Sequence, residues 1–257
     1  MKMTQHKPGT PSWVDLASPD VEATKAFYTG LFGWQAYTVP DPGAGGYTIL
    51  RKGEDSVAAI GPVQGEGQPP VWNWYAATAD ADETARRVEA AGGKILSAPF
   101  DVLDAGRMAA FLDTSGAPFT VWQANQMPGA GVVHEPGSLE WVELMTRDPE
   151  GAVEFYTRVF GWGTEVSTDP AMPYTQFTVD GESVAGMMSM VGDQWPAELP
   201  DHWMVYFAVE DVDATCARVP ELGGTVAQQP MDIPGVGRFA VVIDPVGAHF
   251  SVLRMAG

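Results

Sequence analysis

The sequence predicts an α+β fold in which the chain repeats a unit of one strand, one helix and three further strands. Three observations lead to this prediction: a long internal repeat, an alternation of strand-like and helix-like segments within it, and a Gly- and Pro-rich segment between the two halves. The segment WVDLASPDVEATKAFYTGLFGW begins at Trp13, WVELMTRDPEGAVEFYTRVFGW begins at Trp141, and the two are identical at half of their positions. The chain therefore consists of two related halves.

The repeat continues in the same order to the last strand of each half. GRMAAFLDTSGAPFTVW at Gly106 corresponds to GRFAVVIDPVGAHFSVL at Gly237. Between the halves, residues 125–136 are rich in Gly and Pro and have no apolar periodicity, as is typical of a linker. We therefore predict two domains, at residues 1–124 and 137–257.

Each half contains the strand–helix unit twice. WVDLA alternates like a strand, and Asp20 caps a predicted helix whose apolar residues follow helical spacing. Short strands follow around Tyr47 and Val57. A second unit begins with a strand at Trp72 and continues with a helix over about 82–91, which ends at two glycines. Its remaining strands are predicted near Ile95, Met108 and Thr120.

Composition excludes several classes of function. The chain carries 14 basic and 33 acidic residues, a net charge of −19, which works against nucleic acid and anionic membranes as partners. The single cysteine, Cys216, excludes an intramolecular disulfide and a cysteine-based zinc site. The sequence contains neither a signal-peptide pattern nor an apolar run long enough to span a membrane, so we predict a soluble, cytoplasmic protein.

One spaced motif carries a family resemblance. An aspartate is followed by Phe-Tyr and then Phe-Gly from Asp20 to Gly33 and again from Asp148 to Gly161, and Asp-Pro-x-Gly at Asp244 precedes the last strand. This pattern resembles the vicinal oxygen chelate superfamily, which includes glyoxalase I, extradiol dioxygenases, fosfomycin-resistance enzymes and bleomycin-binding proteins. The resemblance covers almost the whole chain. It implies the glyoxalase/bleomycin resistance/dioxygenase-like fold, in which paired βαβββ modules form mixed sheets that curl around a cup.

The resemblance also implies where a metal would bind. In that superfamily a divalent metal in the cup is usually held by His on the first strand, His on the fifth and Glu on the last. The corresponding residues here are Trp13, Asn73 and Thr120 in the first half, and Trp141, Met204 and Ser251 in the second. Tryptophan offers a metal no lone pair, and none of the six is a usual ligand. We therefore predict no metal at this site and no cofactor.

Strand alternation extends the predicted cup lining, because residues two apart on a strand face the same side. In the first half it adds Asp15, Tyr75 and Trp122. In the second half it adds Glu143, His202, Tyr206 and His249. The indoles of Trp13 and Trp141 are expected to stack on a planar ligand.

The polar candidates leave alternatives open. Glu143, His202 and His249 could be solvated wall residues, a carboxylate–imidazole general base, or an unusual metal site. Asp15 could pair with Arg107 or orient a ligand hydroxyl.

The two arginines that follow the repeated glycines, Arg107 and Arg238, also leave two readings open. Each could meet a ligand anion, or each could tether the preceding loop through Asp101 and Asp232.

The predicted function is a metal-independent protein that binds a bulky, aromatic small metabolite and performs acid–base chemistry such as isomerisation, cyclisation or elimination. Glu143 or His249 would act as the base, with His202 and Asp15 as further catalytic candidates. The alternative is a non-catalytic binding protein that sequesters an antibiotic or toxin. Metal-dependent glyoxalase or dioxygenase activity is disfavoured by the missing ligands. The expected partner is a small molecule, and the chain is expected to be a monomer or a homodimer.

Overall fold

The structure is a computed structural model that describes residues 1–65, 67–167, 173–192 and 195–256. The elements of the first half are β1 (Pro11–Ser18), α1 (Val21–Phe32), β2 (Gln35–Thr38), β3 (Thr48–Lys52), β4 (Asp55–Pro62), β5 (Val71–Ala77), α2 (Ala81–Ala90), β6 (Lys94–Val102), β7 (Gly106–Leu112) and β8 (Pro118–Ala124). The elements of the second half are β9 (Leu139–Thr146), α3 (Pro149–Phe160), β10 (Gly163–Val166), β11 (Tyr174–Val179), β12 (Glu182–Ser189), β13 (His202–Ala208), α4 (Val212–Arg218), β14 (Thr225–Ile233), β15 (Gly237–Ile243) and β16 (His249–Met255).

Each half forms one eight-stranded mixed sheet. The strand order is β2-β3-β4-β1-β5-β8-β7-β6 in the first half, and the second half repeats it as β10-β11-β12-β9-β13-β16-β15-β14. The pairs β1–β4 and β5–β8 are parallel, and the two modules of the first half meet at the antiparallel pair β1–β5. The predicted α+β fold with tandem paired βαβββ modules is confirmed.

The helix that follows the first strand of each half begins and ends as the sequence predicts. Asp20 Oδ1 accepts a hydrogen bond from the backbone N–H of Ala23 at 3.0 Å, and Gly33 ends α1 in the left-handed region with φ 71°. Asp148 and Gly161 perform the same roles for α3. The bounds of both helices therefore agree with the local signals in the sequence.

The first helix of each half packs on the sheet of the other half. In α1, the Tyr28 ring centroid lies 5.4 Å from that of Phe250, and in α3 the Tyr156 centroid lies 5.6 Å from that of Phe119. All four side chains are at most 2% exposed. One continuous hydrophobic core therefore joins the two halves.

Buried hydrogen bonds reinforce this exchange. The Tyr28 hydroxyl donates to Asp244 Oδ2 at 3.2 Å and accepts from Trp72 Nε1 at 2.8 Å. Symmetrically, the Tyr156 hydroxyl donates to Asp113 Oδ2 at 2.9 Å. The repeated Phe-Tyr motif and the late aspartate, which the sequence shows far apart, thus meet across the halves.

The segment between the two sheets lies against the first one. The Trp122 indole donates to the Met127 carbonyl at 2.8 Å, and the backbone N–H of Ala130 donates to the Ser12 carbonyl at 2.8 Å. The domain boundary at 125–136 stays a prediction. Among the described residues, none of the helices combines the length and apolar character that a bilayer crossing requires.

Candidate functional site

Strand register brings the predicted lining residues of the first half to one face. Trp13 lies opposite Tyr75, and Asp15 lies opposite Asn73, across the β1–β5 pair. Tyr75 in turn lies beside Thr120 in the parallel β5–β8 pair, and Trp122 follows two residues later on the same face. The indoles, the phenol, the amide and the carboxylate predicted from alternation therefore share one wall.

Asp15 is the centre of this wall. Its Oδ2 accepts hydrogen bonds from the Tyr75 hydroxyl at 2.7 Å and the Tyr47 hydroxyl at 2.9 Å. Its Oδ1 accepts from Asn73 Nδ2 at 2.9 Å. The Trp13 indole N–H donates to the Tyr47 hydroxyl at 2.9 Å. We call these five residues the first carboxylate cluster.

The second half builds a matching arrangement around Glu143. The Tyr206 hydroxyl donates to Glu143 Oε1 at 2.8 Å, and the Tyr174 hydroxyl donates to the same carboxylate. The Trp141 indole N–H donates to the Tyr174 hydroxyl at 3.0 Å. We call these four residues the second carboxylate cluster. Met204 lies opposite Glu143, in the place that Asn73 has in the first half.

Burial shapes the acid–base properties of both clusters. Asp15 is 8% exposed and Glu143 is 6% exposed. Burial raises the pKa of each carboxyl above its ordinary value, and the tyrosine hydrogen bonds oppose this only in part. Neither carboxylate has an ion pair among the residues that the structure describes. Each cluster therefore holds a carboxyl with increased proton affinity next to hydroxyl donors.

The same surroundings keep the tyrosines neutral. Burial, followed by the charge of the adjacent carboxylate, raises the pKa of Tyr47, Tyr75, Tyr174 and Tyr206. A neutral phenol can donate its hydrogen bond to a carboxylate or to a ligand oxygen. The tyrosines are therefore hydrogen-bond donors in this state.

Of the two alternatives for Asp15, the pair with Arg107 is contradicted, and the role in orienting a ligand hydroxyl stays a prediction. Residue 107 alternates to the face of β7 opposite the cup, where Arg107 Nη1 donates to Asp101 Oδ1 at 2.9 Å and the guanidinium also binds the first turn of α2. Arg238 Nη1 donates to Asp232 Oδ1 at 3.0 Å in the second half. The loop-tethering role of both arginines is confirmed.

The two histidines lie on the strands predicted for them but do not bind Glu143. His202 Nδ1 is 2.8 Å from the Pro200 carbonyl oxygen, and burial lowers the pKa of this histidine. His249 is exposed at the start of β16. Within the described residues the Glu143 carboxylate is bound by two tyrosine hydroxyls and by neither histidine, and the carboxylate–imidazole base stays one of the open alternatives.

Sequence reasoning missed Tyr47 and Tyr174 as site residues. Tyr47 immediately precedes β3 and Tyr174 is the first residue of β11, where alternation from the first strand of each half gives no direction. The available signal was the repeat itself, which places YT at this point in both halves. The structure shows that each hydroxyl links the predicted indole to the predicted carboxylate.

The aromatic residues of the two cups differ in burial. Trp13 is 3% exposed and Trp122 is 5% exposed, while Trp141 is half-buried. Two surface cavities lie elsewhere. One, of about 560 Å³, lies between α4 and β14 next to Cys216, and the other, of about 330 Å³, touches the end of the second sheet at Leu253. A ligand can reach either carboxylate only when tyrosine side chains move aside.

The fold and the site define the class of the chain: two mixed sheets of paired βαβββ modules, each with an aromatic wall around a buried carboxyl. A sequence model of the Glyoxalase/Bleomycin resistance protein/Dioxygenase superfamily matches residues 10–121 and 138–252. The chain belongs to this superfamily, as the motif resemblance implies.

Named relatives match over nearly their full length. The chain is 44% identical over 263 residues to "Putative glyoxylase CFP32" of Mycobacterium bovis, covering 99% of this chain and 98% of the relative. It is also 44% identical over 272 residues to "Anthracycline biosynthesis protein DnrV" of Streptomyces peucetius, covering 98% of this chain and 96% of the relative.

Solved structures share the fold at low identity. The Mn(II)-bound glyoxalase from Novosphingobium aromaticivorans has a TM-score of 0.66 at 17% identity, over 96% of this chain and 82% of that chain. The 2,3-dioxygenase LapB from Pseudomonas sp. KL28 has a TM-score of 0.64 at 13% identity, over 98% of this chain and 94% of that chain.

The donor atoms at the superfamily's metal positions do not fit a divalent cation. The indole nitrogens of Trp13 and Trp141 are hydrogen-bond donors that are already bound to tyrosine oxygens. Asn73 directs its amide N–H to Asp15, and Met204 offers only a thioether. Within the described ranges, no three His, Cys, Asp or Glu side chains converge to hold a metal.

Proposed function

We propose that the cups bind a planar aromatic metabolite and that the second carboxylate cluster transfers protons on it without a bound metal. The observation that carries this proposal is the buried carboxyl held by two tyrosine hydroxyls beside an indole, built twice in one chain. A buried carboxyl costs stability, and such a cost is typical of a functional group.

The aromatic walls support a flat ligand. Trp141 is half-buried on the face that carries Glu143, and its ring presents area for stacking once Tyr174 moves. A relative that shares 44% identity over 98% of this chain carries the name anthracycline biosynthesis protein. That name fits a polycyclic aromatic ligand for this chain.

The chemistry follows from the exchange of one hydrogen bond. When a ligand carbonyl enters, the Tyr174 hydroxyl turns from Glu143 to that oxygen, while the Tyr206 hydroxyl continues to orient the carboxylate. Glu143 then removes a proton from a carbon whose carbanion is conjugated with the carbonyl, and the enolate oxygen accepts the hydrogen bond from Tyr174. Return of the proton from Glu143 to another carbon of the enolate completes an isomerisation. In a cyclisation, the enolate carbon attacks a second carbonyl carbon of the same ligand, the C=O π bond of that carbonyl breaks, and its oxygen takes the proton from Glu143.

Metal independence is tested by elemental analysis of protein purified without chelators. We expect far less than one equivalent of Fe, Mn, Ni or Zn per chain. About one equivalent, lost together with activity on dialysis against a chelator, would refute the metal-free proposal.

Proton transfer is tested with anthrone, a flat ketone with an acidic carbon-bound proton. Under nitrogen in D₂O, the protein should accelerate deuterium incorporation at that carbon, measured by NMR. Glu143→Gln should abolish the acceleration because the amide cannot accept a proton. Glu154→Gln is the matched control, since it makes the same change at an exposed residue of α3 that pairs with Arg158, and it should retain the rate.

The same experiment separates catalysis from sequestration. Titration of the tryptophan fluorescence with anthrone reports binding independently of exchange. Binding without accelerated exchange would refute the catalytic role and favour the alternative of a non-catalytic binding protein. If the fluorescence stays unchanged up to the highest soluble anthrone concentration, anthrone does not bind. That result would refute both the catalytic role and the binding-protein alternative.

A further inference from the structure

We propose that the two cups select ligands of different charge, and that Arg51 makes the first cup a site for a planar molecule with an anionic group, a carboxylate or a phenolate. This inference rests on the proposed binding of aromatic molecules in the cups. It extends that proposal by naming the group that the first cup recognises. The inference is based on the surroundings of Arg51 and on the different residue, Thr178, at the same place in the second half.

Strand register places Arg51 on the cup face. Ile49 lies opposite Ala59 in the β3–β4 pair, and Ala59 lies beside Asp15 in the β1–β4 pair. The β3–β4 register shifts between Leu50 and Arg51, but the β2–β3 register is unbroken through Arg51. Arg51 follows Ile49 by two residues, so both side chains lie on the face that carries Asp15. Tyr37 lies opposite Ile49 in the β2–β3 pair and shares this face.

Arg51 has no acidic partner in the described part of the chain. Its guanidinium carbon lies 4.9 Å from the ring centroid of Tyr37, and its Nε is buried without a hydrogen-bond partner. By contrast, the neighbouring Lys52 Nζ lies 3.4 Å from a carboxylate oxygen of Glu135. Arg147 and Arg218 also lack a carboxylate partner, but they donate to backbone carbonyl oxygens, whereas Arg51 has no hydrogen-bond acceptor in the described part of the chain.

The unpaired guanidinium suits an external anion. An unsatisfied buried N–H costs roughly 1–3 kcal/mol, and a carboxylate bound in the plane of the guanidinium can accept from two N–H groups at once. The Tyr37 ring below Arg51 limits the directions from which a ligand can approach. An aromatic carboxylate that stacks in the cup would therefore present its charged edge to Arg51.

The second cup has a different wall at this place. Thr178 pairs with Ser183 as Arg51 pairs with Ser56, so Thr178 is the counterpart of Arg51. Glu165, an exposed residue of β10, takes the place of Tyr37. The second wall thus has an acid and no cation where the first wall has a cation, which disfavours anionic ligands there.

The experiment compares anthraquinone-2-carboxylate with its methyl ester by isothermal titration calorimetry at low salt. All variants are made in a Trp141→Ala background, so that the first cup dominates the signal. We expect the parent to bind the carboxylate on the order of tenfold more tightly than the ester. Arg51→Gln should remove this preference and leave ester binding unchanged, which also reports intact folding.

Lys52→Met is the matched charge control. It removes one positive charge from the adjacent residue of β3, whose side chain alternates to the other face. It should leave the carboxylate preference intact. Equal losses in Arg51→Gln and Lys52→Met would overturn the inference, because they would show a long-range charge effect.

The outcomes separate this inference from the proposed function. Equal binding of carboxylate and ester by the parent would overturn the role of Arg51. It would not contradict the proposal that the cups bind planar aromatic molecules. If neither probe binds to the parent or to the chain with Trp141 intact, the proposed function fails and the inference fails with it.

Discussion

Replacing Asp15 by asparagine should stabilise the protein at neutral pH. The three hydrogen bonds of the carboxylate, from Tyr47, Tyr75 and Asn73, all come from neutral donors. The amide oxygen of an asparagine at position 15 can accept from both tyrosines, and its N–H can donate to Asn73 once that side-chain amide turns over. The substitution therefore removes the charge and keeps the contacts.

The size of the effect follows from two opposing contributions. Burying an ionised carboxylate costs several kcal/mol, while each hydrogen bond to it returns about 1.5–3 kcal/mol. Burial raises the pKa of Asp15 above its ordinary 3.8, so the cost exceeds the return. Because the contributions are of similar size, we expect the Asp15→Asn variant to gain on the order of 1 kcal/mol in free energy of unfolding at pH 8.

The gain in free energy of unfolding should increase as the pH rises. A carboxyl whose pKa is raised in the folded protein favours folding below its ordinary pKa, and this contribution is lost as pH rises through the raised value. Wild type and Asp15→Asn should therefore be equally stable below about pH 4 and diverge above it. Urea denaturation followed by circular dichroism at pH 3.5 and pH 8 measures both differences.

Asp82→Asn is the control of opposite sign. The hydrogen bond from Arg107 lowers the pKa of the Asp82 carboxyl, so its contribution is present above its ordinary pKa and lost as pH falls. This variant should lose stability at pH 8. If Asp15→Asn were instead less stable than wild type at pH 8, the argument that burial dominates at Asp15 would be refuted.

Three further predictions concern the shared core and the second cup. Tyr156→Phe should lower the free energy of unfolding by about 2–4 kcal/mol, because it removes the hydroxyl bond to Asp113; a urea midpoint equal to wild type would contradict this. Phe207→Ala should cost about 3–5 kcal/mol and retain one cooperative transition by fluorescence and circular dichroism, since this fully buried ring lies in the core common to both halves; two separate transitions would argue against a shared core. Gly186→Ala would place a methyl group against the Tyr174 hydroxyl, so we expect a loss of about 1–3 kcal/mol in urea denaturation, and an unaltered midpoint would show that Tyr174 moves freely.

Local patterns predicted the elements and the lining of the cups well. The caps at Asp20 and Asp148 act between residues three apart, so a short window of sequence contains all that they need. Strand alternation is equally local, and it placed Asp15 and Glu143 on the faces where the structure has them. These predictions depend on geometry that every helix or strand shares.

Contacts between distant elements were harder to predict. Arg107 is a plausible partner for Asp15 by charge, but its own strand turns it to the opposite face. His249 and Glu143 lie on strands separated by β13, and the tyrosines reach the carboxylate first. Charge and spacing do not reveal which of several donors is closest.

The sequence by itself determined the duplication, the paired βαβββ modules, the superfamily and the absence of its usual metal ligands from the expected positions. Only the tertiary structure decided that Tyr47 and Tyr174 reach the carboxylates, that Arg51 has no acidic partner, and that α1 and α3 pack on each other's sheets. The physical reason is range: repeats, caps and alternation are set within a few residues. Which side chains meet inside a curled sheet depends on how far the whole sheet curls and on what packs behind it.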